Sequence, residues 1–382
     1  MTAQTVTPSA SRRERRQKQF IIDTDVHHGM PGNDSLYPYL SQTYRERLRD
    51  YGFGGGGISY ANNGGLKGYR ADALRDGVPP PGGGVHAVDI EFLRQQLLDE
   101  AGIDIAILTG GQMYGVNSVL DLDYASALAR AYNDYNLEHW LPKDERFRYC
   151  MSICAQDPAG AVAEIERIAS HPQICAVMLP CGAPRPYGHR SYHPIWEACE
   201  RHGLAIALHF GAEGSGINPP PTSAGYPTHY IESRLARPTF YAVHVNSFIF
   251  EGVFRTFPKL KVAMLEGGFG WVPSLMWRMD MDWKGLRHQT PWVEKLPSEY
   301  LIDHIRFASQ PMEEPEDPKA IETIIEWMHG DRTLMFASDY PHWDWDDPAV
   351  TFTQLPDDLR HRIFAENAAD TFGLTIPAQD DR

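Results

Sequence analysis

From residue 20 to residue 372 the chain alternates short apolar runs with longer stretches in which apolar residues recur every three to four positions. The short runs are Phe20–Val26, Ile103–Thr109, Phe147–Ile153, Ile174–Leu179, Leu204–His209, Val262–Glu266, His304–Ser309 and Thr333–Ser338. Their length and bounding turn residues predict strands. The longer stretches are Leu122–Leu141, Gly160–Ser170, Pro194–His202, Tyr230–Phe257, Trp271–Leu286, Pro318–His329 and Asp357–Phe372, and their spacing predicts helices. Strands that alternate with helices form a parallel sheet, and eight such units predict closure into a (β/α)8 TIM barrel. An open doubly wound sheet is the alternative. Against it, no GxGxxG follows the first strand.

Two stretches exceed what a bare barrel needs. Residues 29–88 form a long insertion after the first strand, containing Gly54–Gly57, Pro79–Pro81 and Gly82–Gly84. Glycine and proline at that density oppose regular structure. Gly211–Thr228, rich in Gly, Pro and Ser, follows the fifth strand. Both leave the C-terminal ends of strands, the face on which barrels build active sites. A lid or a substrate wall is the functional reading, a tolerated surface insertion the plain one. The expected organisation is a lead-in over 1–18, one barrel domain over 19–376 with 29–88 as its insertion, and a tail over 377–382.

The lead-in is polar and basic with no apolar stretch behind it, so it does not read as a secretory signal. No window of 18 apolar residues appears, so no membrane span is expected. A formal charge of −15 disfavours nucleic acid and anionic membranes as partners and leaves a small molecule as the expected ligand. The five cysteines have no CxxC spacing and several lie in strand-like runs, which predicts buried reduced thiols and a cytoplasmic protein.

Chemistry concentrates at three strand ends. The first strand runs into Asp23-Thr24-Asp25-Val26-His27-His28, and residues two apart on a strand point the same way. Asp25 and His27 therefore share a face, with Asp23 below them. The fifth strand ends in His209 and the eighth in Asp339, each closing an otherwise apolar run. Taken singly, each has an ordinary explanation as a loop cap, a packed histidine or a paired carboxylate. Four such groups at one barrel mouth predict a single divalent metal site, zinc or manganese.

These segments also carry a resemblance. IIDTDVHH, ALHFG, FPKLKVAMLEGGFGWVPSLMWR, FASDYPHWDWDDP and Ile363-Phe364-Ala365-Glu366-Asn367-Ala368, in this order, resemble the amidohydrolase-related family that includes aminocarboxymuconate-semialdehyde, γ-resorcylate and 5-carboxyvanillate decarboxylases. The resemblance spans Phe20 to Leu374. It implies that Asp25, His27, His209 and Asp339 ligate the metal and that the chain forms a homodimer. It also marks a departure: the family's HGG motif after strand six is Glu266-Gly267-Gly268 here. Glutamate serves as an acid or base but not as a cation. His244 is the candidate substitute, with a packed histidine as the competing reading. Arg190, Glu213, His342 and Trp343 are candidate substrate contacts, with Arg278 and Lys261 as further possible carboxylate anchors.

Two reactions fit. The main reading is hydrolysis of a small cyclic or aromatic-derived substrate by a metal-activated water, Asp339 taking the proton and Glu266 passing it on. The alternative is non-oxidative decarboxylation of an aromatic or unsaturated acid. A metal-free binding barrel is the reading from outside enzymology.

Overall fold

The fold was analysed in a computed structural model that describes residues 19–53, 77, 87–110 and 113–377. Eight parallel strands stand in sequence order: β1 (Ile22–Val26), β2 (Ile105–Leu108), β3 (Phe147–Ser152), β4 (Ile174–Pro180), β5 (Ala205–His209), β6 (Val262–Leu265), β7 (Ile305–Ala308) and β8 (Leu334–Met335). The sheet closes on itself. The Thr24 N–H donates to the Phe336 carbonyl at 3.1 Å and the His27 N–H to the Tyr340 carbonyl at 2.8 Å. The chain is the (β/α)8 barrel that its pattern predicts.

The strands alternate between two apolar environments. In β5, Ala205 and Ala207 join an inner cluster with Ile107, Cys150, Ala176, Ala263 and Met335. Ile206 and Leu208 join the outer cluster that packs against the helices. Small residues fill the narrow barrel and branched ones cover it, as a period of two requires. His209 continues the inner series. In β1 the register slips between Asp23 and Val26, a local irregularity just where the acidic residues occur. All five cysteines are buried and unpaired, as expected.

The predicted helices appear with adjusted ends. Tyr230–Phe257 is two helices, Tyr230–Phe250 and Val253–Thr256. The break falls at Gly252, whose φ of 75° is left-handed backbone that suits glycine. Asp357–Phe372 is interrupted by a wider turn over Arg362–Glu366. Several helices escaped the periodicity, Gly330–Thr333 among them. Ile90–Leu93 is capped by Asp89, whose side chain accepts from Phe92 N at 3.0 Å. Pro297–His304 takes in His304, which the pattern assigned to β7. The expectation that 29–88 lacks regular structure is corrected over its first part. Gln42–Tyr51 is helical, with Ser41 accepting from Tyr44 N. Gly54–Gly57, Pro79–Pro81, Gly82–Gly84 and the 1–18 lead-in lie outside the described residues.

Asp157 caps the helix Pro158–Ile168, accepting from Gly160 N at 3.0 Å, and its other oxygen accepts from Ser126 Oγ at 2.9 Å. Asp157→Ala is expected to cost about 0.5–2 kcal/mol of stability, read from the denaturant midpoint, with metal content unchanged. No shift in midpoint would refute the cap.

Candidate metal centre

Four side chains meet at the C-terminal mouth of the barrel. Asp25, His27, His209 and Asp339 are buried, and each offers one ligand atom within 4.8 Å of the others. His27 Nε2 is 2.9 Å from Asp339 Oδ1 and 3.5 Å from Asp25 Oδ1. His209 Nε2 is 3.3 Å from Asp25 Oδ2. Both imidazoles are turned by their other nitrogen. His27 Nδ1 donates to the Gly110 carbonyl at 2.7 Å, and His209 Nδ1 to the Phe210 carbonyl at 2.6 Å. Those bonds leave each Nε2 lone pair facing the centre. Thr109 Oγ1 donates to Asp25 Oδ1 at 2.7 Å and fixes that carboxylate.

The donor set fits a cation on an internal test. Asp25 Oδ2, His27 Nε2, His209 Nε2 and Asp339 Oδ2 are all buried without a hydrogen-bond partner. Orphaned buried polar atoms are costly, and these four face one another. A divalent ion would satisfy all four. Without one, the charges shape each other. Burial pushes the His27 imidazole down, yet Asp25 and Asp339 outweigh it and raise it to about 10. Burial likewise opposes ionisation of Asp339, but His342 and His27 hold it well below the usual carboxylate range.

A second ring of residues supports the first. Asp23 is buried beneath the cluster and ties β1 to β8, accepting from Ser338 Oγ at 2.5 Å and from Ser338 N at 2.9 Å. His342 Nδ1 is 2.8 Å from Asp339 Oδ1, and its side chain is 34% exposed, so it links the buried carboxylate to solvent. Tyr114 stacks on the His209 ring at 4.8 Å between centroids. Its ring packs where a Cβ on Gly211 would stand, only 2.8 Å from Tyr114 Cδ2.

Glu266 follows β6 and enters this ring too. Its Oε2 is 3.2 Å from His209 Nε2, and its Oε1 is gripped by Arg237 NH1. Arg237 is 2% exposed and comes from the helix Tyr230–Phe250. Its guanidinium lies 4.0 Å from the centroid of the Phe210 ring, and NH2 donates to Tyr230 OH at 3.3 Å. Sequence reading missed Arg237, although a signal existed: it shares the buried face of its helix with Ser233, Tyr241, His244 and Val245. Thr109, Gly110 and Tyr114 were missed as well.

Several candidates do not join the cluster. His244 uses both nitrogens in packing: Nε2 donates to the Cys181 carbonyl at 2.9 Å, Nδ1 accepts from Tyr187 N at 3.3 Å, and its ring stacks on Tyr187. Burial lowers it to about 4, and its placement fits the competing reading, a packed histidine. Arg190 is exposed on the turn Arg190–Tyr192, not aimed into the buried site. Arg278 is exposed and paired with Asp282. Lys261 donates to the Asp303 carbonyl at the start of β6, the opposite end of the barrel. Trp343 is 55% exposed at the rim, with Arg234 over its ring at 5.3 Å.

Glu213 is buried beside the site and accepts from Gly211 N at 3.0 Å. Burial raises its carboxyl from 4.5 to about 7. A carboxyl raised by folding disfavours the folded state once the unfolded chain ionises. That penalty is absent below pH 4.5 and grows until about pH 7. Glu213→Gln is therefore expected to gain stability over wild type across this window, by at most ~1.4 kcal/mol per pH unit. Parallel stability–pH curves for the two proteins would contradict it.

A family model for amidohydrolases matches residues 43–374, and the chain belongs to that family of enzymes. A γ-resorcylate decarboxylase of Rhodococcus jostii (strain RHA1) is 24% identical over 314 residues, covering 75% of this chain and 88% of that protein. A 5-carboxyvanillate decarboxylase of Novosphingobium aromaticivorans, solved with manganese and 4-hydroxy-3-methoxy-5-nitrobenzoic acid, superposes with a TM-score of 0.69 at 19% identity, over 98% of this chain and 100% of that one. A dihydroxybenzoic acid decarboxylase of Polaromonas sp. JS666, solved with manganese and 2-nitroresorcinol, gives 0.65 at 19% identity, over 94% and 99%. Both share the barrel. Among the described residues no helix is long and apolar enough to cross a membrane.

Proposed function

We propose that this chain is a metal-dependent carboxy-lyase of aromatic carboxylic acids, with Asp25, His27, His209 and Asp339 holding a divalent ion. The observation that carries the choice over hydrolysis is the engagement of Glu266. A hydrolytic route asks Glu266 to carry a proton from water to a leaving group. Its Oε1 is committed to Arg237 and its Oε2 is turned onto the metal cluster at His209, which favours a fixed place in the site over that traffic. The decarboxylase relatives support the same reading. Manganese is favoured by the solved relatives that carry it and by the oxygen content of the site.

When bound, the ion supplies a positive charge that attracts the carboxylate of an acidic substrate. The protein's own groups do the rest. Tyr114, stacked on His209, offers an aromatic wall. Asp339, charged and buried, orients His342. His342 touches both Asp339 and solvent, and is the group that brings in the proton. In balance, one proton enters at the ring carbon, the bond from that carbon to the carboxylate breaks, its electron pair stays with the ring, and CO2 leaves.

The test is CO2 release by the manganese-loaded protein from a panel of hydroxybenzoates and methoxy-hydroxybenzoates. Cleavage of esters or lactones, with no acid losing CO2, would return the reading to hydrolysis. His342→Asn is expected to keep manganese and to lower kcat about 10²-fold. Unchanged kcat would remove His342 from the proton route.

A further inference from the structure

We propose that Glu266 is a fifth protein ligand of the metal and that Arg237 is the residue that positions it. The inference rests on the four-residue metal site but not on the reaction assigned to it.

The first ground is spacing. Two ligand atoms, each about 2.1 Å from one ion, lie about 3.0 Å apart at a right angle and about 3.4 Å apart at a tetrahedral angle. Three of the pairs within the four-residue cluster lie near these values, at 2.9, 3.3 and 3.5 Å. Glu266 Oε2 stands 3.2 Å from His209 Nε2, within the same range and no farther than Asp25 Oδ2. Glu266 also offers an atom within 4.8 Å of both Asp339 and His342. The group it faces at His209 is Nε2, which is buried and without a hydrogen-bond partner.

The second ground is backbone. Glu266 has φ 59° and Asp339 has φ 58°, the left-handed region that residues with a Cβ seldom adopt. The ends of β6 and β8 thus use one device to swing a carboxylate into the mouth. At β8 the carboxylate belongs to the metal cluster. Retaining a glutamate in this conformation at β6, ahead of two glycines, favours the same purpose for it.

The third ground is charge. Asp25, Asp339 and Glu266 around a divalent ion leave a net −1, a poor state for a buried site. Arg237 brings it to zero. By gripping Oε1, it leaves Oε2 as the oxygen that meets the ion. The donor set becomes three oxygens and two nitrogens, which suits manganese over zinc. Five protein ligands leave an octahedral ion one open position, so a substrate binds it through one oxygen.

Two measurements on the full chain decide this. In crystals of the manganese-loaded protein, Glu266 Oε2 is expected within about 2.3 Å of the ion. An Oε2 beyond 3 Å, or a second ion between Glu266, Asp339 and His342, overturns the proposal. In solution, water proton relaxation counts exchangeable waters on the bound manganese. Wild type is expected to show one and Glu266→Gln two, with at least a tenfold weaker Kd for Mn²⁺. Arg237→Lys keeps the charge but loses the planar fork, and is expected to fall between them. It also covers the case in which Glu266→Gln fails to fold. An unchanged hydration number in the folded variants overturns the proposal while leaving the four-ligand site intact. Wild-type protein that binds no manganese overturns both.

Discussion

His209→Ala protein is expected to emerge from gentle purification and manganese reconstitution without stoichiometric metal, and without measurable turnover. The size of the effect follows from where His209 sits. Its Nε2 lies 3.3 Å from Asp25 and 3.2 Å from Glu266, with no hydrogen-bond partner of its own. Removing it withdraws the neutral donor that separates two carboxylates and leaves them facing each other. Loss of a neighbour that merely orients a ligand costs roughly 10–100-fold in metal affinity, and loss of the ligand should exceed that. Elemental analysis with circular dichroism makes the check, and His244→Ala is the control. His244 is equally buried but serves packing, so its removal should lower stability and spare the metal. Stoichiometric manganese in folded His209→Ala protein would refute the site.

Arg237→Met is expected to destabilise the protein by about 3–5 kcal/mol, the range for removing one partner of a buried ion pair. Arg237 and Glu266 are both nearly inaccessible, and the methionine would leave the glutamate beside Asp25 and Asp339 without its counterion. The double variant Arg237→Met/Glu266→Leu is expected to recover most of the loss, because an apolar pair of similar volume often replaces a buried ion pair without penalty. Urea unfolding of the two proteins tests this directly. A single variant within 1 kcal/mol of wild type would mean that the pair is solvated.

The barrel was legible because its strands encode two environments at once. Ala205-Ile206-Ala207-Leu208-His209 alternates small and branched side chains, and that period both predicts the strand and assigns His209 to the interior. Asp25 and His27 were found by the same rule, although β1 carries a slip that the rule does not foresee. Arg237 was not found, because its partner lies 29 residues away on another element and a lone arginine in a helical pattern reads as surface charge. His244 misled for the mirror-image reason. Its place near the site motif in sequence suggested chemistry, whereas the fold gives each of its nitrogens to a backbone group. Periodicity reports which way a side chain points. It does not report which distant residue it meets.

The helix Tyr230–Phe250 carries Arg234 as well as Arg237. Arg234 pairs with Asp344 in the loop after β8, and Arg237 pairs with Glu266 after β6. Three residues apart on one helix, the two arginines tie the segments after β6 and β8, which flank β7, to a common reference. Substitutions at Arg234 and Arg237 therefore cannot behave as independent perturbations. Once either grip is released, the other carries more of the helix's hold on the mouth, beside the hydrogen bonds of Tyr241 to the Leu265 carbonyl and of His244 to the Cys181 carbonyl. The energies of the two changes will not add, and the size of that departure measures how stiffly the barrel's entrance is held.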